Sequence, residues 1–148
     1  MEYFFINTDA SSFGGPHDLN VWFEKNVAFT GGPKKFGEQL SQLSPGDICL
    51  MYDNGQGIVA IGRVLDRWNG KEYRNPIYYD GDDPEYRIKV HWFIDIRDNR
   101  IEVADVKRIV GYQPRGAVRR ILKRKEEIVS LLSKITLKPN LGQDKSTR

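Results

Sequence analysis

Two kinds of side chain in this sequence are suited to binding flat or anionic ligands: aromatic rings in or beside loops, and a run of basic residues. Flat rings stack on other flat groups or surround a methyl group or a cation. The rings that lie in or beside predicted loops are Phe13, Trp22, Phe29, Trp68, Tyr73, Tyr78 and Tyr79. An alternative for Trp22 and Trp68 is that each fills one end of the fold as an ordinary core residue.

The basic residues are concentrated in one segment. The segment 107–125 contains eight basic residues and no acidic one, whereas 80–85 is acidic and the net charge of the chain is only +3. Such asymmetry favours one positive face and a polyanionic partner, although a solvated helix is the simpler alternative. The residues expected to bind phosphate groups are Lys34, Lys35, Arg115, Arg119, Arg120 and Lys123.

Patterns typical of zinc sites and of common enzymes are absent from the sequence. His17 and His91 are the only histidines, and Cys49 is the only cysteine, so no zinc-ligand spacing occurs. The chain also lacks the phosphate-binding glycine loops and the nucleophile elbow of hydrolases. We therefore predict a protein with no catalytic residues, no metal and no cofactor.

Acidic and titratable side chains leave two alternatives open. Asp80, Asp82 and Asp83 could hold a divalent ion, but a clustered acidic turn is more often solvated. An enzyme acting on a nucleotide or small molecule would have to use Tyr79, Asp80 and His91 as its acid or base groups.

The elements that must position these residues begin with a strand and a hairpin. Residues 3–7 are aromatic and β-branched, which predicts a buried strand. Two apolar runs, 48–52 and 57–65, flank the turn-forming pair Asn54–Gly55 and predict a β-hairpin. Gly62 inside the second run predicts a bulge or a close backbone approach.

The remaining pattern predicts two helices and further strands. Apolar spacing favours a short helix over 35–43, and alternation favours a strand over 86–96 with a short strand at 101–103. A longer helix is predicted over 116–135. Its expected apolar stripe consists of Val118, Ile121, Leu122, Ile128, Leu131, Leu132 and Ile135. Together these elements predict an α+β fold, in which a curved, mostly antiparallel, barrel-like sheet of five or six strands is flanked by two or three helices.

Length and composition favour one domain. A chain of 148 residues is of ordinary domain size, and we assign 1–138 to the domain and 139–148 to a polar tail. No apolar stretch has the length of about 18 residues that a membrane span requires, and the N-terminus lacks the basic start of a signal peptide. Together with the single cysteine, these features predict a cytoplasmic protein that does not bind membranes. We expect it to be a monomer.

The order of motifs resembles the PUA-like superfamily, and within it the EVE and YTH domains. The opening YFFINTDASSF is similar to the start of both families. NVW followed by a loop and KKFGEQL resembles the YTH pattern, whereas the step from Trp22 to Asn26 resembles the EVE domain. The EVE core hairpin is similar to SPGDICLMYDNGQGIVAIGRV, and a YTH strand is similar to YRIKVHWFIDI. The resemblance covers roughly residues 2–135.

This resemblance implies a fold and a function. YTH domains read N6-methyladenine in RNA, and EVE domains are associated with modified bases in DNA or RNA. The implied function is a non-catalytic module that binds nucleic acid and flips a methylated base into an aromatic pocket. Carried over by position, the implied pocket consists of Asn7, Thr8, Asp9, Trp22, Asn26, Trp68, Tyr73 and Tyr79.

The sequence departs from both families in ways that bear on specificity. Asn7–Thr8–Asp9 stands where the families usually have a lysine and a serine, and the loop after Val64 lacks the second-tryptophan pattern of YTH domains. Three alternatives stay open: DNA or RNA as the ligand, a protein-interaction or toxin–antitoxin-like regulator that docks through the basic helix, and a small nucleotide-acting enzyme. A nuclease or another effector is a further expected partner.

Overall fold

The computed structural model describes residues 1–10, 16–79 and 83–134. The strands are β1 (Tyr3–Asn7), β2 (Val27–Gly31), β3 (Ile48–Asp53), β4 (Gly57–Val64), β5 (Glu85–Asp95), β6 (Ile101–Glu102) and β7 (Val118–Arg120). The helices are α1 (Asn20–Lys25), α2 (Lys34–Glu38), α3 (Val103–Val110) and α4, whose described part is 125–134. Short 3₁₀ turns, Gln39–Gln42 and Arg97–Asn99, follow α2 and β5.

The strands form one curled sheet in the order β2-β5-β4-β3-β1-β7, with β6 paired to β4. Among the described strands only the β1–β3 pair is parallel, and the other pairs are antiparallel. The predicted α+β class and the mostly antiparallel sheet are therefore confirmed. The described residues contain seven strands and four helices, which is one strand and one helix more than the upper bounds predicted from the sequence.

Two apolar cores cover the two faces of the central strands. Phe4 and Ile6 of β1 belong to one core, whereas Phe5 between them belongs to the other. The same alternation in β3 sends Cys49 to the first core and Leu50 to the second. Strands buried on both faces read as continuous apolar runs, which is why the sequence around these strands shows little polar alternation.

Different helices complete the two cores. Trp22 of α1 packs into the first core together with Leu40 from the 3₁₀ turn after α2. Val106 of α3 and Ile128 and Leu132 of α4 pack into the second. None of the helices in the described ranges is long and apolar enough to cross a membrane.

The bulge predicted at Gly62 is confirmed. The register between β4 and β5 shifts between Ile61 and Gly62. A Cβ atom at Gly62 would lie 2.5 Å from side-chain atoms of both Trp92 and Val90, so the β5 side chains pack directly on the glycine backbone. This close packing bends the sheet at the point where Trp92 enters the first core.

The helix predicted over 116–135 is wrong in its first nine residues, 116–124. Val118–Arg120 is strand β7, which pairs with β1, and Arg124 has a positive φ of 60° just before α4. The prediction failed because Val118 and Ile121 are three residues apart, a spacing that also fits a helix. In the structure the segment instead pairs as a strand with the otherwise unpaired edge of β1. Leu122, predicted to be core, is 75% exposed.

Three further elements, α1, β2 and α3, were missed in the sequence. β2 contains the run Val27–Gly31, which has the aromatic and β-branched composition of a strand. Helix α3 places Val106, Ile109 and Val110 against the second core and ends at Gly111, whose φ of 89° is typical of a helix C-terminus. The strand composition of β2 and the apolar pattern of α3 are both present in the sequence, but each element is too short for its pattern to stand out.

Candidate functional site

The polar end of β1 is the first part of the candidate site. The amide of Thr8 donates a hydrogen bond to the Tyr52 carbonyl oxygen, which continues the parallel pairing to β3 for one residue. Asp9 has a positive φ of 51°, a conformation that aspartate and asparagine tolerate better than most residues. The Asn7 side-chain oxygen accepts the Asp9 amide at 3.0 Å and closes this turn.

An aromatic cluster lies behind this polar end. The Trp22 ring contacts those of Phe29, Tyr78 and Trp92 at centroid distances of 5.6, 5.5 and 5.9 Å. Tyr78 in turn stacks on Phe29 at 5.3 Å. Trp22 and Phe29 are fully buried, on α1 and β2 respectively, so neither is the loop residue that the sequence suggested.

Two adjacent tyrosines connect this cluster to the end of β1. The Tyr78 hydroxyl donates to the Thr8 carbonyl oxygen at 2.6 Å, and the Tyr79 hydroxyl donates to Oδ2 of Asp9 at 3.2 Å. The His17 ring lies 5.1 Å from the Tyr78 ring and 5.4 Å from the Tyr79 ring. The site therefore combines ring edges with short polar groups, which is the combination that a flat heteroaromatic ligand requires.

The Glu85 carboxylate fixes the position of both tyrosines. Its oxygens accept the backbone amides of Ile77, Tyr78 and Tyr79, the last two at 2.9 and 3.0 Å. Nε of Arg87 donates to the same carboxylate at 2.7 Å. Glu85 is completely buried, so these contacts replace the water that the charge has lost.

A glycine allows Tyr79 to approach the sheet. A Cβ atom at Gly31 of β2 would lie 2.8 Å from the Tyr79 ring, which is closer than side chains tolerate. The Tyr79 ring therefore packs on bare backbone, and it is 7% exposed.

Burial shifts the ionisation of the site. Removal from water raises the pKa of the Asp9 carboxyl, although the Tyr79 hydrogen bond and the nearby His17 act in the opposite direction. Burial also raises the pKa values of the Tyr78 and Tyr79 hydroxyls, with the negative charge of Asp9 adding to the effect. Both tyrosines are therefore hydrogen-bond donors at neutral pH rather than bases.

Three other residues named for the pocket lie elsewhere. The Trp68 ring contacts Tyr86 at 6.3 Å, and no side chain of the described residues accepts a hydrogen bond from its buried Nε1. Tyr73 lies under the Arg87 guanidinium at 3.9 Å. Asn26 is exposed and ends α1 with a φ of 53°. Tyr78, which is absent from the pocket residues expected from the sequence, contacts Trp22 instead.

The residues expected to bind phosphate are exposed but spread along the molecule. Arg115 lies two residues before Ala117, whose carbonyl oxygen accepts the Asn7 amide at the polar end of β1. The Arg119 guanidinium lies 3.8 Å from the Tyr112 ring, and Arg120 pairs with Glu2 towards the opposite end of β1. Lys34 and Lys35 begin α2, and Lys123 follows β7.

The alternative sites fare differently in the structure. His91 is exposed on β5, and its neighbour Trp92 points into the first core, so His91 and the buried Tyr79 do not share one face. Phe13, Asp80 and Asp82 lie outside the described residues, and Asp83 is exposed. Within the described ranges, no three His, Cys, Asp or Glu side chains are grouped so that they could hold a metal ion.

Solved structures share this fold. No family profile and no curated protein matches the sequence. The Mmi1 YTH domain matches with a TM-score of 0.64 at 12% identity, covering 93% of this chain and 99% of that one. A second Mmi1 YTH structure, in complex with RNA, has the same TM-score and identity and covers 93% and 81%. A hypothetical protein from Leishmania major matches at 0.61 and 13%, covering 90% and 95%. The chain therefore has a YTH-like fold, which confirms the fold expected from the sequence.

Replacement of Glu85 tests how the loop is held. Glu85→Gln keeps the size of the side chain but removes the charge and offers one acceptor oxygen to three amides and an arginine. We expect the free energy of unfolding to fall by about 2–3 kcal/mol in urea denaturation. The matched control is Glu127→Gln, because Glu127 is exposed and pairs with Arg124 at 3.9 Å, and this change should cost less than about 1 kcal/mol. Equal effects of the two variants would contradict the role of Glu85.

Replacement of Asp9 tests the raised pKa. A carboxyl whose folded pKa lies above its unfolded value of 3.8 binds protons more readily when folded, so its contribution to stability falls as pH rises through the folded pKa. Asp9→Asn keeps the acceptor oxygen for Tyr79 and tolerates the positive φ. We expect the stability of this variant relative to wild type to increase from acidic to neutral pH, measured by urea denaturation at each pH. A difference that is constant with pH would refute the shift.

Proposed function

We propose that this chain is a non-catalytic nucleic-acid-binding domain that reads a modified base, most simply a methylated one, at the end of β1. The observation that carries the proposal is the pair of hydrogen bonds by which Tyr78 and Tyr79 join the Trp22 cluster to Thr8 and Asp9. A methylated base presents an apolar edge beside polar ring atoms, so its reader needs aromatic rings and small polar groups in one place.

Two further observations support this proposal. Structures with the same fold include a YTH domain in complex with RNA. Exposed basic residues also lie on both sides of the cluster: Arg115 beside the end of β1, and Lys34 three residues after Gly31, on which Tyr79 packs. In this proposal the basic residues hold phosphate groups and position the strand, whereas the aromatic cluster supplies specificity.

The burial of Trp22 sets an energetic condition on the proposal. A ring that is 0% exposed offers no free face, so a base must replace some of the existing ring contacts. An aromatic pair contributes about 0.5–1.5 kcal/mol beyond burial, whereas stacking of a base contributes about 1–3 kcal/mol. The free energy gained by stacking a base can therefore offset the loss of one ring contact. Tyr78 and Tyr79, rather than Trp68, supply the second wall of the pocket in this arrangement.

Tyr79 is a better probe of this pocket than Trp22. Truncation of a fully buried tryptophan costs about 3–5 kcal/mol, so Trp22→Ala would unfold a marginal domain whatever its role. Tyr79→Phe removes one hydroxyl and keeps the ring.

We expect Tyr79→Phe to weaken binding of a modified oligonucleotide by about fivefold, because the Asp9 carboxylate loses its partner. The measurement is fluorescence anisotropy with matched DNA and RNA strands that contain adenine, N6-methyladenine, cytosine or 5-methylcytosine. Tyr73→Phe is the matched control, since Tyr73 is a tyrosine of the same loop outside the cluster. A wild-type protein that binds every strand equally would overturn the reading of a modified base, and turnover of any strand would show an enzyme instead.

Charge reversal tests the phosphate contacts. We expect Arg119→Glu combined with Arg120→Glu to weaken binding of modified and unmodified strands by the same factor. Each lost phosphate contact should flatten the plot of log K against log salt by about 0.7 for single strands. Arg74→Glu, at an exposed arginine of the 66–79 loop, is the control. An unchanged slope would remove the basic segment from the interface and favour a protein-docking role for it.

A further inference from the structure

A cavity lies directly beside the candidate site. It has a volume of about 350 Å³, with Leu19 and Val59 on its apolar wall and Asp53, Arg97 and Arg100 on its polar wall. His17 also lines it, and the ring of His17 contacts both Tyr78 and Tyr79. One side chain therefore separates this cavity from the aromatic cluster.

The Asp53 carboxylate is incompletely satisfied. The Thr8 side chain hydrogen-bonds it, but Oδ1 is buried and has no hydrogen-bond partner among the described residues. Asp53 also lines the cavity, so its carboxylate group can accept a hydrogen bond from a ligand bound there. A base with an exocyclic amino group is such a ligand.

Two arginines supply positive charge at the same cavity. Arg97 is held in place by Asp95, to which Nε and Nη2 donate at 3.0 and 2.7 Å, and by Asn20, to which Nη1 donates at 2.6 Å. Arg100 donates from Nε to the Gln56 carbonyl oxygen at 3.2 Å. Nη2 of Arg100 also pairs with Oε1 of Glu102 at 3.5 Å. These contacts leave two of the five N–H donors of Arg97 and three of Arg100 for an anion.

We propose that this cavity binds one nucleotide unit, with its phosphate at Arg97 and Arg100 and the amino group of its base at Asp53. The volume lies within the range of small-molecule sites. A simple anion fits the cavity less well, because the Asp53 carboxylate would repel it, whereas a nucleotide carries its negative charge and its hydrogen-bond donor at opposite ends. The unit is either a free mononucleotide or a neighbour of the base bound at Tyr79, and only the second form rests on the proposed function.

The test localises mononucleotides on the full chain. Amide chemical shifts are followed by NMR during titration with AMP, CMP, GMP, UMP, ribose 5-phosphate and inorganic phosphate. We expect the largest shifts at 53–56 and 97–100, and tighter binding of AMP and CMP than of UMP, whose base lacks an amino group. Shifts confined to other regions, or equal affinity for CMP, UMP and ribose 5-phosphate, would overturn the proposal.

Variants separate the two ends of the ligand. Arg100→Gln should weaken CMP binding by about tenfold, because it removes a charged hydrogen bond to the phosphate. Asp53→Asn should reduce the preference for CMP over UMP. Arg63→Gln removes the same charge from an exposed position of β4 and should change neither quantity. Because Asp53 also contacts Thr8, the melting curve of Asp53→Asn is measured as well. If Asp53→Asn is unstable, Arg100→Gln still tests the proposal independently.

The outcomes distinguish this proposal from the proposed function. If CMP binds the cavity but no oligonucleotide binds at all, the cavity is a site for free nucleotides and the proposed function fails. A different result separates the two proposals in the other direction. If wild type binds modified strands, and Arg100→Gln and Asp53→Asn bind modified strands and CMP with the same affinity as Arg63→Gln, the cavity proposal fails and the proposed function stands. If both CMP and modified strands bind more weakly to Arg100→Gln, the cavity holds a neighbouring nucleotide of the strand.

Discussion

The Glu85 carboxylate is the interaction on which the candidate site depends. Removal of a carboxylate from water costs several kcal/mol, and this cost is offset only when its oxygens are well bonded. Three consecutive backbone amides and Nε of Arg87 meet that requirement. The chain at 77–79 therefore has little freedom, because any conformation that turned an amide away would leave the charge undersatisfied. The positions of Tyr78 and Tyr79 follow directly from this constraint.

Glu85 also ties the loop to the sheet through its backbone. Its amide and carbonyl groups exchange hydrogen bonds with Tyr73 at 3.0 and 2.9 Å, so one residue holds the loop at two points. Because Glu85 begins β5 and pairs with Gly31 of β2, the loop is anchored to the sheet next to its edge strand β2. The two tyrosines are thus presented by a loop with the rigidity of a strand, and a binding site held in this way loses little entropy when a ligand enters.

The sequence predicted the elements whose signals are local. The hairpin at 48–65 and strand β1 are buried on both faces, so their apolar runs and the Asn54–Gly55 turn identify them without tertiary information. The contact of Tyr78 with the Trp22 cluster was not predictable in the same way, because the position of Tyr78 depends on a carboxylate seven residues further along the chain. Strand β7 was mistaken for a helix for a similar reason, since only the open edge of β1 decides its conformation.

The two-sided burial of β1 also explains why its polar groups gather at one end. Along the strand, polar side chains would enter an apolar core, so they first occur where the strand ends at Asn7 and continue through Thr8 and Asp9. Backbone geometry alone accounts for Asp9, because its positive φ favours aspartate or asparagine. Packing alone accounts for the rings of Tyr78 and Tyr79, because phenylalanine would fill the same volume. The two hydroxyl groups have no such explanation: a buried hydroxyl costs free energy unless it is bonded, and its net gain when bonded is small. Their pairing with the end of β1 is therefore the feature of the cluster on which the proposed binding of a base rests.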